Sequence, residues 1–173
     1  MRKLSGLFIC FVLIGLCASA QSTLDKKISA LIEQLACAEP DEITPVTLNA
    51  GVLTEMDSVA FVVKLKLASG WHIYGYVPPT MPYINMDPIL KLPEGLQGVG
   101  DWKKSQLSPS VNDPGVMIYE NKAWLVHKAV RLKGTEIKGP VEVGLYYQAC
   151  NLQQCLAPIE KTIELKVAPV PKI

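Results

Sequence analysis

The sequence predicts an all-β antiparallel sandwich, and three observations carry that prediction. Val59, Phe61, Val63, Leu65 and Leu67 alternate with Ala60, Val62, Lys64, Lys66 and Ala68, a period of two that makes one apolar face and one amphipathic face. About seven such runs follow one another without interleaved helical patterns, which is the layout of a sandwich. The chain also holds 13 prolines, which belong at strand ends and loops because proline has no N–H to give a central ladder.

The elements follow in order. Arg2 and Lys3, an apolar run from Leu7 to Leu16 and the small residues Ala18-Ser19-Ala20 form the pattern of a cleaved secretory signal over residues 1–20. Lipid attachment at Cys17 is disfavoured by the large Leu16 before it. Cleavage after Ala20 leaves 173 − 20 = 153 residues, enough for one domain. Leu24, Ile28, Leu31, Ile32 and Leu35 fall at helical spacing, with Ser22 and Asp25 as a weak capping box. Ala38 to Pro45 reads as a linker, so residues 21–44 are helix and linker, 45–168 the domain and 169–173 a tail. Strands are expected near Pro45–Leu53, Val59–Ala68, Trp71–Tyr76, Pro88–Leu92, Ala123–Leu132, Val141–Ala149 and Ile159–Val167.

Every hydrophobic run after Gln21 is interrupted by charge, proline or glycine, so the expectation is an exported protein with no stable membrane insertion. The signal holds two of the 17 basic residues and none of the 16 acidic ones, leaving 15 − 16 = −1. That balance offers no electrostatic reason for nucleic acid or an anionic membrane as partner. No phosphate loop or general acid/base pair supports hydrolase or transferase chemistry.

Of five cysteines, Cys10 and Cys17 leave with the signal, and Cys37, Cys150 and Cys155 remain. Cys150 and Cys155 flank Asn151-Leu152-Gln153-Gln154 between two expected strands, a hairpin-like loop able to bring their α-carbons to disulfide distance. So short a loop restricts the unfolded chain by only about 2 kcal/mol, against about 4.7 for a loop of about 100 residues. The pair is therefore a weak staple in a place open to an attacking thiolate. Three uses stay open: redox exchange, which this argument favours, a plain hairpin brace, and metal ligation with His72 or His127. The metal reading needs two more ligands from distant sequence, so no metal or other cofactor is expected. Cys37 is left as a free thiol or as one half of an intermolecular disulfide.

Tyr146-Tyr147-Gln148-Ala149-Cys150 through Cys155-Leu156-Ala157-Pro158, followed by Lys161-Thr162, resembles the amino-terminal periplasmic domain of the thiol:disulfide interchange protein DsbD. Gly70-Trp71-His72-Ile73-Tyr74 and Leu92-Pro93-Glu94-Gly95 add to the likeness, which runs from about Pro45 to Val167. The resemblance implies an immunoglobulin-like sandwich in the periplasm. It would take reducing equivalents from a thioredoxin-like donor and pass them to oxidised client proteins through Cys150 and Cys155, with Cys155 carrying the mixed disulfide. It also implies a cap loop with an aromatic side chain. Ser108 to Glu120 is the nearest match, Tyr119 the first candidate and Met117 the second, unless these residues simply begin the next strand. His72 and Tyr74 share a strand face and would line the site, while Trp71 and Ile73 face the core.

Around the cysteines themselves the sequence shows only Asn151, Gln153 and Gln154, with no cation to lower a thiol pKa, which suits a receiver more than an initiator. Family proteins continue into a membrane domain and a thioredoxin-like domain. This sequence has no C-x-x-C motif, so the donor is expected to be separate and the direction of electron flow stays open. The rival readings are a secreted interaction module braced by the disulfide and a metal-handling protein using both cysteines and His72.

Overall fold

The computed structural model describes residues 23–168, so the expected signal, Ser22 of the capping box and the 169–173 tail lie outside the described residues. A helix, α1, covers residues 23–34. Eleven strands follow among the described residues: β1 (Val46–Glu55), β2 (Ser58–Leu67), β3 (His72–Tyr76), β4 (Asp87–Lys91), β5 (Leu96–Lys104), β6 (Ser108–Pro109), β7 (Met117–Glu120), β8 (Lys122–Arg131), β9 (Val141–Tyr147), β10 (Ala149–Cys150) and β11 (Ile159–Leu165). They form sheets ordered β1-β2-β8-β5, β11-β9-β4 and β10-β3-β7-β6, with every strand pair antiparallel. This is the immunoglobulin-like sandwich that the sequence predicts.

The alternation in β2 decides the layering. Val59, Phe61, Val63 and Leu65 are wholly buried and meet Val141, Val143 and Leu145 of β9 and Ile73 of β3 in the main core. Ala60 and Val62 on the other face are equally buried, but in a separate cluster with Leu24 and Ile28 of α1 and Val126 of β8. The apolar stripe of α1 thus covers the outer face of the four-stranded sheet, and β2 is buried on both sides.

Polar contacts hold this helix down. Lys64 Nζ donates to the carbonyls of Ile32 (2.5 Å) and Glu33 (3.4 Å), supplying donors to the open carbonyl end of α1. Asp25 pairs with Lys128 at 2.8 Å and Lys27 with Glu55 at 3.1 Å. The expected linker is stitched to the sheet as well, through Thr47 Oγ1 to the Ala38 carbonyl (2.6 Å), Asn49 Nδ2 to the Ala36 carbonyl (2.6 Å) and Trp71 Nε1 to Glu42 (3.1 Å).

Three strands depart from the sequence expectation. β5 carries two glycines, is exposed along nearly its whole length and breaks register between Val99 and Lys103, so it shows no alternation to read. β6 is only two residues long. The segment expected either as a cap loop or as the start of the next strand forms its own strand, β7, separated from β8 by Asn121 at φ 59°. Asparagine is among the few side chains that take that conformation readily.

Candidate functional site

β9 and β10 are one extended run broken at Gln148. The first part pairs with β11 and β4, and the second crosses to β3, where Ala149 faces Ile73 and Cys150 faces His72. The loop beyond turns back at once. Asn151 Oδ1 accepts hydrogen bonds from the amides of Gln153 and Gln154, both at 2.9 Å, and Asn151 N donates to the Gln154 carbonyl at 2.9 Å. This side-chain-to-backbone turn is the reason for asparagine here. Leu156 N then donates to the Ala149 carbonyl at 2.8 Å, closing the frame.

Within that frame Cys150 and Cys155 form a disulfide, with S–S 2.01 Å and α-carbons 4.0 Å apart. Its two halves stand in different surroundings: Cys150 is only 1% exposed, whereas Cys155 lies on the exposed side of the turn. Cys150 packs with Tyr74, Val77, Val116 and Ile118, flanked by Met81 and Tyr83. The Tyr74 hydroxyl lies 4.0 Å from Cys155 Sγ.

An aromatic stack covers this cluster. The rings of Tyr74 and Tyr83 are parallel within 12° at 4.5 Å, and the Tyr83 hydroxyl donates to Asp113 Oδ1 at 3.1 Å. Asp113 is itself fixed by Ser110, whose Oγ accepts from Asp113 N at 3.2 Å. Burial, with Tyr83 and Asp113 close by, pushes the Tyr74 phenol up to about 12, so it stays protonated and able to donate. The hydrogen bond to Asp113 raises the Tyr83 phenol in the same direction. The rings of His72 and Tyr74 stand nearly perpendicular, at 84° with centroids 5.1 Å apart, and His72 Nε2 is buried without a hydrogen-bond partner. Burial lowers its pKa, against the opposite pull of Glu120 and Asp113.

The structure therefore brings together Cys150, Cys155, His72 and Tyr74. It corrects the expected cap. β7 pairs with β3 so that Tyr119 faces Ile73 and Ile118 faces Tyr74, and neighbours along a strand point to opposite faces. Tyr119, 2% exposed, is packed in the main core, while Ile118 belongs to the cluster around Cys150. Met117 is half-buried opposite Tyr76 and Pro109 and belongs to neither group.

Tyr83, from the proline-rich stretch between β3 and β4, stacks on Tyr74 and packs against the cluster that holds Cys150. Asp113 holds it through the hydrogen bond from its hydroxyl. An aromatic residue among prolines between two strands was the available signal. His72, expected to line the site, faces Cys150 directly across the ladder.

His127 sits in the four-stranded sheet, edge-on to Trp102 at 5.1 Å. Among the described residues no three His, Cys, Asp or Glu side chains gather as a metal set, and no helix is long and apolar enough to cross a membrane. Cys37 follows α1, donates to the Lys64 carbonyl at 3.3 Å, and has its pKa raised by burial.

Fold and site together define an immunoglobulin-like sandwich with a local disulfide at the strand crossing. The N-terminal periplasmic domain of ScsB from Proteus mirabilis has the same fold, with a TM-score of 0.50 and 15% identity over 76% of this chain and 50% of that one. This chain thus spans about half the length of that structure. Two further solved structures are more distant. The Neisseria meningitidis DsbD N-terminal domain in the reduced form has a TM-score of 0.43 and 14% identity over 70% of this chain and 86% of that one. The yeast GGA1 GAE domain has a TM-score of 0.42 and 11% identity over 76% and 98%. No family model and no curated protein matches the sequence. At such identities the likeness concerns fold, and function has to be argued from the site.

Proposed function

We propose that this is a periplasmic thiol-disulfide exchange domain that takes two electrons from a thioredoxin-like donor and gives them to oxidised client proteins. The observation that carries this reading is the asymmetry of the disulfide, with Cys155 on the exposed side of the turn and Cys150 buried behind it. A donor thiolate attacks Cys155 Sγ, the Cys150–Cys155 bond breaks, and Cys150 leaves as a thiolate that takes up a proton. The donor's second thiol then attacks the donor sulfur of the mixed disulfide, and Cys155 is released reduced. In the second half the Cys155 thiolate attacks a client disulfide. Cys150 then attacks Cys155 Sγ, which restores the bond and releases the client thiol. The sequence resemblance and the weakness of so short a loop as a staple support the same reading.

The test is the equilibrium reduction potential of the Cys37→Ser protein against a dithiol buffer, read by thiol alkylation. A value between roughly −180 and −280 mV is expected. A value well below roughly −300 mV would make the bridge a brace and the protein a binding module.

In this reading the Tyr74–Tyr83 stack shields the sulfurs from small thiols until a partner displaces it. Tyr83→Ala should then speed reduction by dithiothreitol severalfold, and Tyr83→Phe, which keeps the stack but loses Asp113, by less. Equal stopped-flow rates in all three proteins would remove Tyr83 from the cover.

A further inference from the structure

The exchange chemistry has a step that neither cysteine can perform alone. Cys150 sits in an apolar cluster with Tyr74, Val77, Val116 and Ile118. Such surroundings disfavour a thiolate, so Cys150 must lose its proton to attack and regain it on leaving. A group that does this has to lie beside Cys150 and hold a free nitrogen or oxygen at that depth.

One side chain meets both conditions. His72 is the direct cross-strand partner of Cys150, and residues paired in this way project to the same face with their β-carbons about 5 Å apart. Its ring packs nearly perpendicular to that of Tyr74, whose hydroxyl lies 4.0 Å from Cys155 Sγ, so it lies on the disulfide side of β3. Its Nε2 is buried and has no hydrogen-bond partner. Buried polar atoms are nearly always paired, and an exception calls for an explanation in chemistry or strain.

We propose that His72 is the proton carrier for Cys150, taking the thiol proton when Cys150 attacks and returning it when Cys150 leaves. This rests on the exchange reading above. In the resolving step the neutral imidazole accepts the proton of the Cys150 thiol. The thiolate attacks Cys155 Sγ, the bond from Cys155 to the client sulfur breaks as the Cys150–Cys155 bond forms, and the imidazolium gives its proton to the departing client thiolate. In the reverse direction the proton moves from imidazolium to the leaving Cys150 thiolate.

The groups that face His72 are Glu120, directly opposite on β7, Asp113 from the loop before β7, Tyr74 on its own strand, and Cys150 on β10. Burial outweighs the two carboxylates and keeps the imidazole below its ordinary pKa, hence neutral and ready to accept at neutral pH.

The experiment separates the two attacks. Reduced Cys37→Ser protein is mixed with dithiobis-nitrobenzoate, whose thionitrobenzoate is released once when Cys155 attacks and again when Cys150 resolves the mixed disulfide. His72→Leu, checked as folded by a circular dichroism spectrum matching that of the His72-bearing protein, should leave the first release unchanged and slow the second about tenfold or more. In the His72-bearing protein the second release should slow as pH falls through the imidazole pKa, and in His72→Leu that dependence should vanish. His72→Gln, which can hydrogen-bond but not carry a proton, should behave like the leucine variant. A second release as fast in His72→Leu as with His72 present, or restored by glutamine, would overturn the proposal. A reduction potential in the range of a structural brace would instead sink the exchange reading, whatever the two releases show.

Discussion

In a Cys37→Ser background, Cys150→Ser is expected to trap a thioredoxin-like partner as a stable mixed disulfide, and Cys155→Ser to trap essentially none. The two cysteines are chemically alike and adjacent, so the difference must come from their surroundings. An incoming sulfur has to approach in line with the bond that it breaks. Cys155 lies on the exposed side of the turn, whereas Cys150 is 1% exposed beneath Tyr74, Val116 and Ile118. Removing Cys150 leaves the reachable sulfur and deletes the resolving one, so the mixed disulfide accumulates. Removing Cys155 leaves a thiol that a partner cannot reach without opening the cluster. Non-reducing electrophoresis after mixing each variant with an activated disulfide form of a thioredoxin reads the result. Equal trapping by both variants would mean that burial does not decide which sulfur is attacked.

The second large effect falls on the scaffold that presents the pair. Gly144 of β9 faces Thr162 of β11, and a β-carbon placed there would lie 2.1 Å from the Lys161 carbonyl oxygen and 2.7 Å from Thr162 Cα. Both are backbone atoms of a paired strand and cannot rotate away, so Gly144→Ala has to push β11 off β9. The expected cost is about 3 kcal/mol, seen as a lower urea midpoint. Gly51→Ala is the control, since the added methyl would meet only the flexible Leu31 side chain at 3.1 Å. It should cost less than about 1 kcal/mol. Because β9 leads to Cys150 and β11 follows Cys155, the first variant should also loosen the disulfide turn. A Gly144→Ala protein as stable as the parent would contradict the described spacing of these strands.

Much of this architecture is local enough to be read from the chain. The two-residue period of β2, the helical stripe from Leu24 to Leu35 and the short spacing of Cys150 and Cys155 each depend on residues within one turn or one strand. The same parity places Ile73 inward and His72 with Tyr74 on the other face, without any knowledge of what packs there. β5 escaped because an exposed, glycine-bearing edge strand with a register break has no alternation to show.

What remained was settled only where distant segments meet. Whether Tyr119 or Ile118 turns toward the cysteines depends on the register of β7 against β3, and register is set by pairing across the sheet. The stack of Tyr83 on Tyr74, its tie to Asp113 and the placing of His72 opposite Cys150 join positions far apart in sequence, and no local period encodes them. By itself the sequence determined a β sandwich with a helix before it and a close cysteine pair. The tertiary structure decided which sulfur is buried, which aromatic packs against its cluster and that His72 stands directly opposite Cys150, because burial and facing belong to the assembled layers and to no single strand.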